Sequence, residues 1–104
     1  MAITNSLITT GDAQNVYVSD GDNAITTMYF CNTDTTARTF DVYVVPSGNS
    51  LTTLSHRVYS GIQLQTNDTY VVESEKLILA DGDAIRANTD ASNAISVTVS
   101  HIGI

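Results

Sequence analysis

The stretch Ala94–Ile102, AISVTVSHI, alternates apolar and small polar side chains. The apolar residues occupy one parity and the small polar residues the other: Ile95, Val97 and Val99 against Ser96, Thr98 and Ser100. Successive side chains of a β-strand point to opposite faces of the sheet. The alternation therefore predicts a strand with one buried face and one face turned to water.

Segments of the same kind recur along the chain, separated by turn clusters such as SDGDN, PSGNS and ADGD. A spacing of about 8–12 residues between turn clusters is typical of a β-sandwich or barrel. The composition is rich in Thr, Ser, Asn, Val and Ile, which favours strands over helices. We predict strands at 3–9, 14–18, 24–31, 38–45, 57–64, 69–73, 76–79, 84–88 and 94–102.

A chain of 104 residues has the size of one domain, so we assign 1–104 to a single all-β unit. We expect one antiparallel β-sandwich of eight or nine short strands, either a jelly roll or an immunoglobulin-like sandwich. The sequence does not separate the two, although it lacks the Cys–Trp–Cys spacing of true immunoglobulin domains. Residues 1–10 allow two interpretations, an ordinary first strand or an arm that reaches a neighbouring subunit.

Parity within the other strands predicts which side chains share a face. Val16 and Val18 bracket Tyr17. Val58, Ile62 and Leu64 fall on one parity.

Segments 24–31 and 38–45, joined by NTDTTA, are interpreted as a central hairpin. Both are apolar on each side, which suggests a second sheet over one face and a partner over the other. The segment 47–57 is irregular, and Leu51 and Leu54 are compatible with a helical turn or a long loop.

The charge balance excludes several classes of function. The formal net charge is −7, with four Lys and Arg residues in the whole chain. Nucleic-acid binding depends on clustered Lys and Arg, and the same balance disfavours anionic membrane surfaces. The N-terminus has neither a basic region nor a long apolar run, so we expect no signal peptide and no membrane span.

Two loops, SDGDNAI (19–25) and ADGDAIR (80–86), place paired aspartates around a glycine. Such pairs can bind calcium, but Ca²⁺ takes about six to eight oxygen ligands and one loop supplies too few. Asp20, Asp22, Asp81 and Asp83 could form a site only if both loops met in space. The favoured interpretation is two hairpin turns between strands, because Gly21 and Gly82 adopt positive φ freely. Asp83 is then expected to accept hydrogen bonds from backbone amides.

No motif in the chain predicts catalysis. Cys31 lies within a predicted strand, where a lone cysteine is usually a small buried apolar residue. His56 and His101 carry no nucleophile or metal-ligand motif around them. Glu73 and Glu75 suit a solvated turn better than a glycosidase pair. We therefore expect no enzyme activity and no cofactor.

The last third of the chain, 76–104, resembles small virion structural proteins of tailed bacteriophages, including cyanophages. The matching parts are Leu77–Leu79, Gly82-Asp83, Ile85–Ala87, the loop NTDASNA (88–94) and the closing strand with Val97–Val99 and Ile102–Ile104. The stretch 26–50, TTMYFCNTDTTARTFDVYVVPSGNS, resembles the hairpin of those proteins, in which Asn32 opens the turn, Arg38 and Phe40 begin the return strand, and Pro46–Gly48 closes it.

The resemblance implies a capsid decoration or cement protein, made in the host cytoplasm and located in the virion. It would bind the major capsid protein or other virion proteins and form a homo-oligomer, with a trimer favoured. The alternatives are a neck, tail or fibre module, or a surface adhesin that binds host glycans. We predict a partner interface that includes exposed apolar residues of the N-terminal segment and the central strands: Ile3, Leu7, Ile8, Tyr29, Tyr43 and Val45.

Overall fold

A computed structural model describes residues 2–9, 12–48, 56–72, 77–91 and 93–104. Nine β-strands and no helix form within these ranges. Their bounds are β1 Ala2–Leu7, β2 Gln14–Val18, β3 Asn23–Asn32, β4 Arg38–Val45, β5 Arg57–Leu64, β6 Thr69–Val72, β7 Leu77–Leu79, β8 Ala84–Thr89 and β9 Ile95–Gly103. Each predicted strand is confirmed, with ends that differ by two residues at most.

The strands form two antiparallel sheets that pack face to face. Sheet A has the order β1-β9-β3-β6, with β7 also paired to β3, and sheet B has the order β2-β8-β4-β5. The pairing is nested from the two ends of the chain inward: β1 with β9, β2 with β8, β3 with β6 and β7, and β4 with β5. This is the connectivity of a jelly roll, in which the first and last strands lie side by side, and not that of an immunoglobulin-like sandwich.

The core lies between the two sheets. The β9 residues of apolar parity, Ile95, Val97 and Val99, are at most 1% exposed, as their alternation predicts. Across the core, the rings of Phe30 and Phe40 stack with centroids 4.7 Å apart. Phe30 belongs to β3 in sheet A and Phe40 to β4 in sheet B, so this stack joins the sheets at their centre.

The predicted central hairpin is wrong, because β3 and β4 lie in different sheets and share no ladder. The connection between them is a corner, built on Asn32, which is fully buried. Its Nδ2 donates to the carbonyls of Thr36 and Leu64, both at 3.0 Å, and its Oδ1 accepts from the amide of Asp34 at 2.9 Å. These bonds turn the chain across the core instead of back along the same sheet.

Register shifts in β5 and β2 alter the predicted parity. Phe40 pairs with Ile62 and Val42 with Tyr59, so β5 contains an extra residue near Gly61, which has φ of +62°. A second shift follows, because Tyr43 pairs with Arg57 and Val58 has no partner in the register with β4. Val58 is exposed, whereas Leu64 is buried.

In β2 the register shifts between Asn15 and Tyr17. As a result Val16 and Tyr17 both enter the core, and Val18 is exposed instead of sharing a face with Val16.

The first strand, β1, pairs with β9 of its own chain from Ala2 opposite His101 to Leu7 opposite Ser96. The irregular segment that contains Leu51 and Leu54 is outside the described residues, apart from its ends. Glu73 and Glu75 also lie outside them.

Candidate interaction surface

The outer side of sheet A is the broadest continuous surface that the strand registers define. Antiparallel partners lie on the same face of a sheet, and each row of the registers can be followed across the strands. In one row, the neighbouring residues on successive strands are Asn5, Thr98, Tyr29 and Val71. In another row they are Leu7, Ser96, Cys31 and Thr69. The remaining positions are Ile3, Ser100 and Thr27 in a third row, and Ile102, Ala24 and Ile78 in a fourth.

We call these fourteen positions the neutral face. None of them is Asp, Glu, Lys, Arg or His, although the chain carries fifteen Asp, Glu, Lys and Arg residues in all. Between the larger side chains lie the small polar residues of β9, which keep the middle of the face shallow. The charged residues of the described ranges are therefore placed in loops and on the other sheet.

Large apolar side chains are concentrated on the neutral face. Six of the nine that the described chain exposes lie there, each between 40% and 67% exposed: Ile3, Leu7, Tyr29, Val71, Ile78 and Ile102. Exposed apolar surface that is concentrated on one side of a soluble protein is typical of an interaction site. The neutral face is therefore the candidate functional surface.

The outer side of sheet B has the opposite character. Arg57 donates from Nη2 to the Tyr43 hydroxyl at 2.9 Å, and its guanidinium lies 5.3 Å from the centre of that ring. The same group lies 3.9 Å from the Asp41 carboxylate. Arg86 Nε donates to Asn15 Oδ1 at 2.8 Å. Charged and polar side chains here are bonded to one another within the molecule.

The predicted interface residues divide into two groups. Ile3, Leu7 and Tyr29 lie on the neutral face and are exposed. Ile8 is fully buried between the sheets, and Tyr43 and Val45, from the outer side of sheet B, are at most 5% exposed. Ile8, Tyr43 and Val45 expose little surface that a partner could contact in this fold. The candidate surface therefore includes only Ile3, Leu7 and Tyr29 from the predicted set.

Sequence reasoning missed Val71, Ile78 and Ile102. Each belongs to a recognised apolar segment, but the pairing of β6 and β7 with β3 decides that they extend the same face. The signal that could have found them is parity: Val71 lies next to Val72, which is buried, and therefore points outward.

The two Asp-Gly-Asp loops meet in space. The Ser19 amide donates to the Asp83 carbonyl and the Gly82 amide to the Ser19 carbonyl, each at 2.8 Å. The Gly21 amide donates to Asp81 Oδ1 at 2.8 Å. The prediction of two hairpin turns is wrong, because each loop connects strands of different sheets, β2 to β3 and β7 to β8. The two loops are bonded to each other where the chain crosses between the sheets.

The carboxylate of Asp83 confirms the expectation that it binds backbone amides. Its Oδ1 accepts from Ser47 at 2.9 Å and its Oδ2 from Ala80 at 3.0 Å. Across the described ranges, no three His, Cys, Asp or Glu side chains are grouped so that they could hold a metal ion. The aspartates whose bonds are described here fix the loops to each other and to the β4 end.

The cysteine and the C-terminal histidine do not converge. Cys31 is half-buried on the neutral face, opposite Ser96. His101 lies five residues further along β9, or about 17 Å, and its ring is 4.4 Å from that of Tyr17. Its Nε2 is 3.1 Å from the Thr4 hydroxyl. His56 precedes β5. Cys31 and His101 therefore do not form a thiol–imidazole pair.

An apolar cavity of about 270 Å³ opens between β5 and the β6–β7 side of sheet A. It is lined by Met28, Val58, Tyr59, Val72 and Leu77. Its walls offer mainly apolar contact.

No family model, curated protein or solved structure matches this chain. Within the ranges that the structure describes, no helix is long and apolar enough to cross a membrane.

Proposed function

We propose that this chain is a non-enzymatic structural protein of a phage virion, of the capsid decoration or cement type. It stabilises the particle through contacts with the major capsid protein or other virion proteins. The observation that carries this proposal is the neutral face, an uncharged sheet surface with six exposed large apolar side chains on an otherwise acidic molecule.

The neutral face suits permanent contact with another protein. Burying a charged side chain costs free energy unless it is paired, and this face has none to bury. Its apolar side chains gain roughly 25 cal/mol for each Å² of apolar surface removed from water. Its serine and threonine hydroxyls can exchange water for hydrogen bonds to a partner.

The size of the molecule is adequate for such a contact. Its extents are 38 × 28 × 20 Å, which gives a broad side of about 1,000 Å². A standard interface buries roughly 800 Å² on each partner. One face of the sandwich can therefore supply a stable interface and leave the opposite face free.

The fold is compatible with this role and with one rival. Jelly rolls occur in viral capsid proteins and in lectins, and a fold alone does not define a function. The resemblance of residues 26–50 and 76–104 to phage virion proteins favours the structural role. The alternative is a glycan-binding adhesin, and the experiment must distinguish it from a structural protein of the virion.

The test is binding of the purified protein to particles that lack it, with two matched variants. Val71→Glu places a carboxylate on the neutral face, and Val18→Glu places one on β2 of sheet B; the wild-type residues are 43% and 49% exposed. Both variants have the same net charge. We expect Val71→Glu to weaken particle binding at least about tenfold, the effect of 1.4 kcal/mol, and Val18→Glu to leave it unchanged.

Absence of binding to such particles, together with hits on a glycan array, would favour the adhesin instead. Equal weakening by both variants would show that the contact does not use the neutral face. Electron microscopy of particles with bound protein would distinguish a position on the capsid from one on the neck, tail or fibre.

A further inference from the structure

The edge strands of the two sheets differ in how well they are protected against pairing with another strand. Natural proteins protect sheet edges with short strands, bulges or charged residues. In the described chain β6 and β7 are short, with four and three residues. Strands β2 and β5 are interrupted by register shifts. Strand β1 has none of these features: it has six residues, an uninterrupted register with β9 and no charged side chain.

Among the described residues, one side of the β1 backbone pairs with no other strand. The Ile8 amide donates to the Ile95 carbonyl of β9, and backbone groups of alternate residues point to opposite edges of a strand. Hence Thr4 and Ser6 direct their amides and carbonyls toward β9, and Ile3 and Asn5 direct theirs away.

Leu7 marks where this unpaired side ends. Its carbonyl points away from β9, because it accepts from the Gln14 side-chain amide at 3.1 Å. A partner strand would therefore have the backbone groups of Ile3 and Asn5 available, with the Leu7 carbonyl already occupied.

We propose that β1 pairs with β1 of a second copy of this chain, antiparallel, about a two-fold axis that passes between the two Thr4 residues. Ile3 of each copy lies opposite Asn5 of the other. Each such pair exchanges two N–H···O=C bonds, so the contact forms four backbone hydrogen bonds.

Charge and symmetry favour a second copy as the occupant. Each chain has a formal net charge of −7, so two copies repel overall, and a contact that also opposed acidic side chains at close range would cost more. The segment Ala2–Thr9, AITNSLIT, carries no charged side chain and avoids that additional cost. The edge is self-complementary about the axis, and an isologous contact of this kind closes as a dimer.

The pairing joins sheet A of the two copies into one continuous sheet with the two neutral faces side by side. Ile3, 66% exposed in the single chain, would then lie beside Asn5 of the other copy. This inference goes beyond the proposed function and does not require it, because self-association can be measured without particles.

Hydrogen exchange of individual amides, measured by NMR on the full chain, tests the backbone contact directly. In a monomer the Thr4 and Ser6 amides are protected by β9, while those of Ile3 and Asn5 face water. At concentrations where the protein is dimeric, we expect the Ile3 and Asn5 amides to exchange at least about tenfold more slowly than in a dilute sample. Unprotected Ile3 and Asn5 amides in a dimeric sample would overturn the proposal.

Two lysine variants separate edge pairing from contact through the neutral face. Ile3→Lys alters the β1 edge, whereas Val71→Lys alters the same face at the far strand, β6, with the same change in charge. In analytical ultracentrifugation we expect the wild type and Val71→Lys to dimerise and Ile3→Lys to be monomeric with an unchanged circular dichroism spectrum. A monomeric wild type at about 100 µM, or dissociation by Val71→Lys as complete as by Ile3→Lys, would contradict edge pairing.

Discussion

Gly82 lies where the two Asp-Gly-Asp loops meet, and its substitution tests that junction at a single residue. Its φ is +86°, a conformation that side chains with a Cβ rarely adopt. A Cβ built on it would lie 2.4 Å from Ser47 Oγ and 3.0 Å from Ser47 Cβ. Rotation of the hydroxyl relieves the first contact but not the second. We expect Gly82→Ala to lower the free energy of unfolding by about 2–4 kcal/mol, measured by urea denaturation.

Gly21 provides the matched control. Its φ is +75°, but a Cβ there would meet nothing within 4 Å. Gly21→Ala should therefore cost only the conformational strain, about 1–2 kcal/mol. Equal losses in the two variants would mean that Ser47 moves away freely and that the loop junction is not tightly packed.

The turn residues show what single-residue chemistry can predict. Positive φ at Gly82 and amide binding by Asp83 follow from local rules for Asp-Gly turns, and both are confirmed. The bond between Gly21 and Asp81 joins residues sixty positions apart. Local rules relate only residues that are close in the sequence, so the contact between the two loops could not be predicted.

At the scale of the elements, the corner between β3 and β4 depends on Asn32. Its buried side chain bonds two carbonyls and one amide, and the bond to the Leu64 carbonyl is itself fully buried. We expect Asn32→Leu to lower the free energy of unfolding by about 2–4 kcal/mol, because buried unpaired backbone groups each cost about 1–3 kcal/mol. Thermal and urea unfolding would measure the change.

The adjacent residue gives a control for Asn32. Thr33 is exposed, and its hydroxyl donates to the Ala94 carbonyl at 3.1 Å. Thr33→Ala should cost about 0.5–1 kcal/mol. A loss for Asn32→Leu as small as that for Thr33→Ala would show that the corner forms without the amide side chain.

Asp34 holds the same corner from the solvent side. Its Oδ1 accepts from the Thr35 amide at 2.7 Å and its Oδ2 from Arg38 Nε at 2.8 Å. The Thr35 amide first and the Arg38 guanidinium second hold the pKa of the Asp34 carboxyl below its usual range. The corner bonds therefore persist well into the acid range, and they weaken only when the pH falls through that lowered value.

Strand positions were predictable from the sequence, but strand partners were not. Alternation in β9 is a property of consecutive residues and follows from the buried and wet faces of one strand. The pairing of β3 with β9 instead of β4 is decided by Asn32 and by the stack of Phe30 on Phe40, which sequence neighbours do not reveal. The bulge at Gly61 likewise reverses the parity of β5 through a single extra residue.

At the scale of the whole molecule, the neutral face results from the nested connectivity. Residues from β1, β9, β3, β6 and β7 share it, and these segments span the chain from Ala2 to Gly103. The predicted interface residues Ile3, Leu7 and Tyr29 lie on this one surface, but their grouping required the sheet order. The contrast between the uncharged face and the acidic remainder of the molecule depends on this grouping, because composition gives the net charge but not where the charges lie.

That contrast predicts how self-association responds to salt. Two copies of net charge −7 with centres one molecular width apart, about 28 Å, repel by on the order of 1–3 kcal/mol at 0.01 M ionic strength. At 0.15 M the Debye length is about 8 Å, and most of this repulsion is screened.

Contact through the uncharged β1 edge contains no ion pair for salt to weaken. We therefore expect the dimer Kd to fall about tenfold between 0.01 M and 0.15 M sodium chloride, measured by sedimentation equilibrium. A Kd that rises with salt would show that opposite charges hold the copies together and that the contact lies elsewhere on the molecule.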